Sequence, residues 1–554
     1  MATPRLSAAA QYPGSILAGL APLTGHGYVL APRGASLVHL LKARPRGRPL
    51  AITTPSRLAR AVFQAQAPSI AHRAAFDLPK RAPDLSARNG ISPFQLAVLS
   101  ALAMVLSFGG FLAPGLTLGI LGASMSLLFL GIIVLRLAAS LLDNPVEPAI
   151  RTLRVEDAAL PVYTIIVALY REKRIAARLI DALARIDYPA AKLDIKLVLE
   201  TDDLETLEAL GSIAMPGNID RVIAPRGAPR TKPRALNVAL PLARGQYTVI
   251  YDAEDVPDPG QLRLAAARFA QLPSKVACLQ ARLTIDNTDD SWLTRLFTIE
   301  YAALFDVLNP GFAEIGSPIP LGGTSNHFRT SVLRDIHGWD AWNVTEDADL
   351  GLRLARLGHD VMDLPSSTLE EAPSTLRAWM RQRTRWMKGY VQTSISHSRK
   401  PWTMLSQLGI WRFYAALVLS MGSVLSALVY PILTGMLVTA WGYGASRPPH
   451  SRWEAAVHAC SLTLFFFGAA SIFIPACLAL HRRGLWRLLP WVPLLPVYYV
   501  LVSMAAWRAL WELAVAPFRW NKTSHGLART SRAGLFQKHQ ARLVSTRSLK
   551  TAPP

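Results

Sequence analysis

The sequence predicts a mostly parallel α/β domain inserted between transmembrane α-helices. Three observations carry that expectation. Apolar residues concentrate in two blocks, 94–142 and 411–518, each longer than one span of about twenty residues. Between them lie about 250 residues of ordinary globular composition, enough for one soluble domain with its own core. Within that stretch, short β-rich apolar runs alternate with helical patterns, as strands covered on both faces do.

Residues 1–92 come first, a basic region expected in the cytoplasm. Residues 1–76 contain no Asp or Glu. No continuous apolar core followed by a cleavage site marks a secretory signal, although an organelle transit peptide would share this composition. The stretch 27–73 reads as a small accessory module, with residues before about 25 disordered. The formal charge of +22 does not indicate nucleic acid, because the basic segments flank apolar blocks, as the positive-inside bias produces. Such segments also favour anionic lipid surfaces. Cys278, Cys460 and Cys477 fit no metal spacing and no disulfide framework.

Two transmembrane helices are expected within 93–142, at 94–112 and 116–140, with Gly109, Gly110, Pro114 and Gly115 at the turn. Two crossings return the chain to its starting side. The C-terminal region, 411–512, has apolar stretches at 413–441, 455–480 and 485–510. The basic tail at 513–554 favours an even number of crossings, obtained by breaking the first stretch near Pro431, for six in all. Tyr498, Tyr499, Trp507, Trp511 and Trp520 read as interface anchors.

In the central domain, 150–400, strands are expected at 162–169, 195–199, 247–251 and 276–280, with helices at 175–186 and 234–243. In such a sheet ligands sit beyond the carboxyl ends of the strands. The first strand runs into Tyr170-Arg171-Glu172, the second into Glu200-Thr201-Asp202-Asp203, the third into Asp252-Ala253-Glu254-Asp255. Clustered carboxylates repel one another, and a divalent cation carrying a diphosphate would relieve that. A solvated acidic turn is the alternative for Asp252–Asp255. Lys232 and Arg234, in a Pro-flanked loop, could meet a phosphate or serve as surface charge. Gly322-Gly323-Thr324-Ser325-Asn326 could bring backbone amides to a ligand or form a tight turn.

Further on, Thr345-Glu346-Asp347 offers a carboxylate as a base. It equally reads as a helix start, with Thr345 as N-cap and acids complementing the dipole. Gln382-Arg383-Thr384-Arg385-Trp386 places an amide, a guanidinium and an indole at i, i+3 and i+4, on one helical face. An amphipathic interface helix over 376–390 is the plainer account of Trp386.

These motifs, in this order and over residues 95–525, resemble the membrane-embedded, inverting, processive family-2 glycosyltransferases: cellulose, chitin, curdlan and hyaluronan synthases. The resemblance implies a nucleotide-binding sheet of the glycosyltransferase-A type. Tyr170, Glu172 and Asp202 or Asp203 would contact a uridine, and Lys232, Gln382 and Arg385 the diphosphate. Asp252 would ligate Mg2+ or Mn2+, with Glu254 or Asp255 as second ligand. Asp347, beside Glu346, would be the base. Trp386, with Gly323 and Thr324, would hold the acceptor. The implied reaction is hexosyl transfer from a UDP-sugar to a growing polysaccharide at the cytoplasmic face of a bacterial inner membrane, with export of the polymer. A non-processive lipid glycosyltransferase and an inactive scaffold or transport subunit are the alternatives. Expected partners are the donor, a polysaccharide or lipid acceptor and membrane lipids, with room for an export or accessory subunit and none for nucleic acid.

Overall fold

The computed structural model describes residues 6–7, 9–24, 27–32, 38, 50–142, 147–153, 155–442, 451–520 and 526–531. Most of the basic tail lies outside the described residues.

Three short strands open the chain, β1 (Leu20–Pro22), β2 (Tyr28–Leu30) and β3 (Leu50–Ile52), in one small sheet. Together with a short helix at Gly14–Ala18 they replace the disorder expected before residue 25. Helix α1 (Pro55–Arg81) follows and does not stand apart from the central domain. The carbonyls of Ala74 and Ala75 accept from Asn237 Nδ2 at 3.0 Å and Trp342 Nε1 at 2.9 Å. Further along, Ser86 Oγ and the Ala87 amide bind the Asp340 carboxylate at 3.0 and 2.6 Å, and Arg399 gathers the carbonyls of Pro83, Ser86 and Gly90.

The central domain is built on β4 (Tyr163–Leu169), β5 (Leu193–Glu200), β6 (Ile219–Ala224), β7 (Tyr247–Tyr251), β8 (Val256–Pro257), β9 (Val276–Ile285), β10 (Asn326–Arg329) and β11 (Asp360–Glu370). Their order is β6-β5-β4-β7-β10-β9-β11-β8. β6, β5, β4 and β7 are parallel, and β9 pairs in parallel with β11, while β10 runs antiparallel to both β7 and β9. β5 and β7 are buried at every position and β4 at all but one, which explains the apolar runs of β4 and β7; β5 also buries Asp194 and Lys196 as an ion pair. The mostly parallel α/β fold expected from the sequence is therefore present, with one antiparallel strand through its middle.

Eleven longer helices position the site, α1 among them. α2 (Pro93–Leu112) and α3 (Pro114–Leu141) precede the domain; α4 (Lys232–Ala239), α5 (Trp292–Ala303), α6 (Glu346–Arg356) and α7 (Leu376–His397) belong to it. α8 (Pro401–Leu417), α9 (Ser423–Gly442), α10 (Arg452–Arg483) and α11 (Leu495–Val515) follow. α2 starts on a complete capping box between Ser92 and Gln95. Among the described residues five helical segments are long and apolar enough to cross a membrane: Pro93–Leu112, Pro114–Leu141, Pro401–Gly435, Ala459–Arg483 and Trp486–Val515. The break expected near Pro431 is absent. Pro431 sits inside α9, where it removes one backbone donor without ending the helix. Among the described residues no sixth such segment is present.

Candidate active site

A cleft of about 1090 Å³, the open solvent at its mouth included, lies beyond the carboxyl ends of β4, β5 and β7. The sheet supplies Tyr170, Glu172, Glu200, Asp252 and Glu254, the start of α4 supplies Lys232, the start of α6 Glu346 and Asp347, and α7 supplies Gln382, Arg385 and Trp386. Tyr170 and Trp386, 216 positions apart in sequence, thus line one cleft, because strand ends, helix starts and one face of α7 converge there.

Lys232 is at the centre. It opens α4, where Pro233 suits the first turn, yet a cation at a helix N-terminus opposes the helix dipole. Carboxylates more than compensate. Its Nζ lies 2.5 Å from Asp252 Oδ1 and donates to the Gly323 carbonyl at 2.7 Å. Burial works against its charge, and Asp252 and Glu346 outweigh burial, holding the ammonium above the ordinary lysine range.

Glu346 and Asp347 occupy the first turn of α6. Thr345 holds the N-cap position, but its hydroxyl makes no capping bond, so the cap reading of this motif is not what the fold uses. Instead the preceding loop is held from α7: Val344 N donates to Gln392 Oε1 at 3.1 Å, and Asn343 Nδ2 to Thr393 Oγ1 at 2.9 Å. Gly389 lets α7 approach so closely that a Cβ there would fall 1.9 Å from Thr345 Oγ1. Gly323 does the same opposite, where a Cβ would lie 3.2 Å from Asp347 Oδ2. Burial and the neighbouring Asp347 push Glu346 up to about 7. Burial also raises Asp347, against the pull of the Ala348 amide, Lys232 and Arg385.

The Asp347 charge helps keep Glu346 protonated, and burial raises both carboxyls. Activity that needs Asp347 ionised is therefore expected to decline at a pH above the ordinary aspartate range. Glu346→Gln removes one negative charge, which eases ionisation of the remaining carboxyl. The acidic limb of kcat/KM, measured by nucleotide release, is expected to move to lower pH. A limb that stays put or rises contradicts the interaction between the two carboxyls.

On α7 the motif divides between two sides. Gln382, Arg385 and Trp386 face the cleft, and among the described residues Gln382 Oε1 and Arg385 Nε are buried without a hydrogen-bond partner. Arg383 points away. Its guanidinium pairs with Glu300 at 2.5 Å, donates to Tyr498 OH at 2.7 Å and lies 4.5 Å from the Trp386 ring centroid. Phe297 and Tyr301 pack at 6.0 and 6.2 Å from the same indole. The ring is thus held from behind and presented to the cleft.

Several candidate residues are placed elsewhere. Asp203 caps the helix Leu204–Gly211 and accepts from Arg171 N at 2.5 Å, so its carboxylate is spent on the turn. Asp202 pairs with Arg230 at 2.6 Å, and Arg230, not Asp202, lines the cleft. Asp255 does not line the cleft: it is buried beneath its own turn, accepting from Asp252 N at 2.7 Å and from Thr324 Oγ1. Burial, with Asp252 and Glu254 beside it, holds that carboxyl well above the usual range. Thr324 faces inward to it, while Gly323 lines the cleft. Arg234 is fully buried and grips Glu200 with bonds of 2.6 and 2.7 Å, so it meets no phosphate.

Other lining residues escaped the sequence reading. Glu200 belongs to a strand-end motif already singled out, and β5 pointed to it. Tyr301 and Glu370 carry no local signal. Trp520, expected as an interface anchor, lines the cleft with its ring 5.9 Å from Arg385.

For a divalent cation, the donor set fits. Asp252 and Glu254 both line the cleft, while among the described residues no three His, Cys, Asp or Glu side chains cluster tightly enough to hold a metal alone. One or two carboxylates completed by substrate phosphates is how Mg2+ is usually held.

Residues 161–389 match the family model described as glycosyltransferase like family 2. Among curated relatives, the β-monoglucosyldiacylglycerol synthase of Trichormus variabilis is 26% identical over 262 residues, 45% of this chain and 55% of that protein. The glucomannan 4-β-mannosyltransferase 1 of Oryza sativa is 25% identical over 241 residues, 42% of this chain and 46% of that protein. The chain spans about half the length of these relatives. Among solved structures, the mannosyltransferase PcManGT of Pyrobaculum calidifontis, in complex with GDP-Man and Mn2+, is 17% identical with a TM-score of 0.41. That match covers 70% of this chain and 98% of the other.

Proposed function

We propose that the protein is an inverting glycosyltransferase that moves a hexose from a UDP-sugar onto a polysaccharide at the cytoplasmic face of a membrane. The observation that carries this is the meeting of Asp347 with Lys232, Arg385 and Trp386 in one cleft. A base, two cations for a leaving diphosphate and an aromatic platform are what such a displacement needs. The acceptor hydroxyl attacks the anomeric carbon while the nucleoside diphosphate departs from the opposite face. Asp347 takes the hydroxyl proton. Lys232 and Arg385 stabilise negative charge developing on the diphosphate. Tyr170 and Glu172 face the nucleotide, and Trp386 stacks on the acceptor sugar. Asp252 and Glu254 would hold Mg2+ or Mn2+, which when bound neutralises the diphosphate as a Lewis acid.

A second acceptor class is supported by the likeness to β-monoglucosyldiacylglycerol synthases, one of which, from Synechocystis, aligns over 66% of this chain. There the acceptor is a membrane lipid and one transfer suffices. Purified protein incubated with a panel of UDP-sugars and Mg2+ is expected to release UDP with at least one of them. Product of high molecular weight, sensitive to a glycosidase, supports the polysaccharide reading. A single sugar on extracted lipid supports the other, and no release with any donor overturns both.

A further inference from the structure

We infer that α11, though long enough to cross a membrane, lies flat on the bilayer surface along the catalytic domain, giving a four-crossing protein. A straight helix of 21 residues is about 30 Å long, so a crossing would place its two ends on opposite faces. Both ends of α11 are bonded to the same domain. At the start, Tyr498 OH donates to Glu300 and accepts from Arg383 Nη2, both at 2.7 Å. At the far end, the carbonyl of Pro517 accepts from Gln392 Nε2 at 2.9 Å and that of Arg519 from Lys388 Nζ at 2.8 Å.

The partner along that path is α7, which cannot itself sit in hydrocarbon. It carries Arg377, Arg381, Arg383, Arg385 and Lys388. It is also fixed to the domain from its Arg383–Glu300 pair to His397, whose Nε2 lies 3.0 Å from Asp349. The chain arrives at α11 already on the domain, since Arg483 at the end of α10 donates to the Leu283 carbonyl at 2.8 Å and Arg487 pairs with Asp289 at 2.7 Å. Residues 496 and 507 of α11 both bond to α9 within 428–430: Tyr430 OH reaches the Pro496 carbonyl, and Trp507 Nε1 the Leu428 carbonyl. Eleven residues of one helix reaching three of the other suits helices that cross better than helices side by side.

The outer face identifies what covers it. Val497, Val500, Met504, Trp507, Trp511 and Val515 are exposed at spacings of three and four, an apolar stripe along the helix with the exposed Arg508, paired to Glu512, at its edge. A lipid surface, continuous with the apolar helices that rise beside it, fits such a stripe, and two tryptophans suit the headgroup boundary. The count of crossings then closes. α2 leaves the domain where Gln95 meets Ile395, α3 returns to it where Ala139 meets Gly311, α9 leaves and α10 returns. Residues 526 and 527 come back to Glu371 with bonds of 2.8 Å, on the same side as α1.

The test uses the full chain in phospholipid vesicles, with Cys460 and Cys477 replaced by serine. Single cysteines at Val497, Met504 and Trp511 carry spin labels, and power saturation reports their depth; a label at Leu102 in α2 provides the deep reference. A crossing helix puts residue 504 about 10 Å deeper than 497 and 511. The flat arrangement predicts a difference below half of that, and a difference of half or more overturns it. As a second readout, cysteines at Arg81 and Leu527, both exposed, are treated with a membrane-impermeant maleimide in sealed vesicles of known orientation. Labelling of both from one side supports the arrangement, and labelling from opposite sides rules it out. Neither readout depends on sugar transfer, so its failure leaves the proposed reaction untouched.

Discussion

Asp347→Asn is expected to lower the rate of nucleotide release by about 10²- to 10⁴-fold, the usual contribution of a general base, with donor affinity changed less than about threefold. The asparagine keeps the shape of the side chain and its place on the first turn of α6. What it loses is the ability to accept a proton. The carboxylate is already aimed, because the loop before it is tied to Gln392 and Thr393 on α7 and Gly323 leaves room in front of it. Glu200 does not substitute, because Arg234 engages both of its carboxylate oxygens. The loss should therefore fall on turnover and not on binding.

Lys232→Met should reduce kcat/KM for nucleotide release by about 10²- to 10³-fold, as removal of a preorganised group facing developing charge does. Unlike the asparagine variant, it should also raise KM, because the ammonium faces the diphosphate before reaction as well as during it. Its loss further leaves Asp252 without the partner that lies 2.5 Å away. Lys232→Arg should not rescue: a planar fork is too broad for the point-charge position between Asp252 and the Gly323 carbonyl. A variant whose KM alone changes would place Lys232 in donor binding only.

Where burial repeats along a segment, the fold was legible. β4 and β7 are nearly continuous apolar runs because both faces are covered, and the ends of β4, β5 and β7 lead into the cleft. β10 was not, since Asn326–Arg329 owes its strand form to hydrogen bonds with β7 and β9 rather than to its own four side chains. In the site, Thr345–Asp347 and Gln382–Trp386 stood out because their side-chain types and spacing suit the chemistry directly. Which acid in a cluster faces the ligand did not. Asp202, Asp203, Asp252 and Asp255 look alike in sequence, and only the turn geometry sends Asp203 and Asp255 into backbone bonds while Asp252 reaches the cleft. Trp520 and Tyr498 read as interface aromatics by composition. One lines the cleft and the other bonds Glu300 behind Trp386, placements that depend on where α11 lies.

The central claim is that Asp347 is the base and not a donor ligand. Calorimetric titration of a turnover-supporting UDP-sugar with Mg2+ into the unaltered protein and into Asp347→Asn, with UDP release followed in the same samples, tests it most directly. The account predicts matched binding isotherms and release lost from the variant. Robust release by Asp347→Asn, or loss of donor binding together with release, would contradict it.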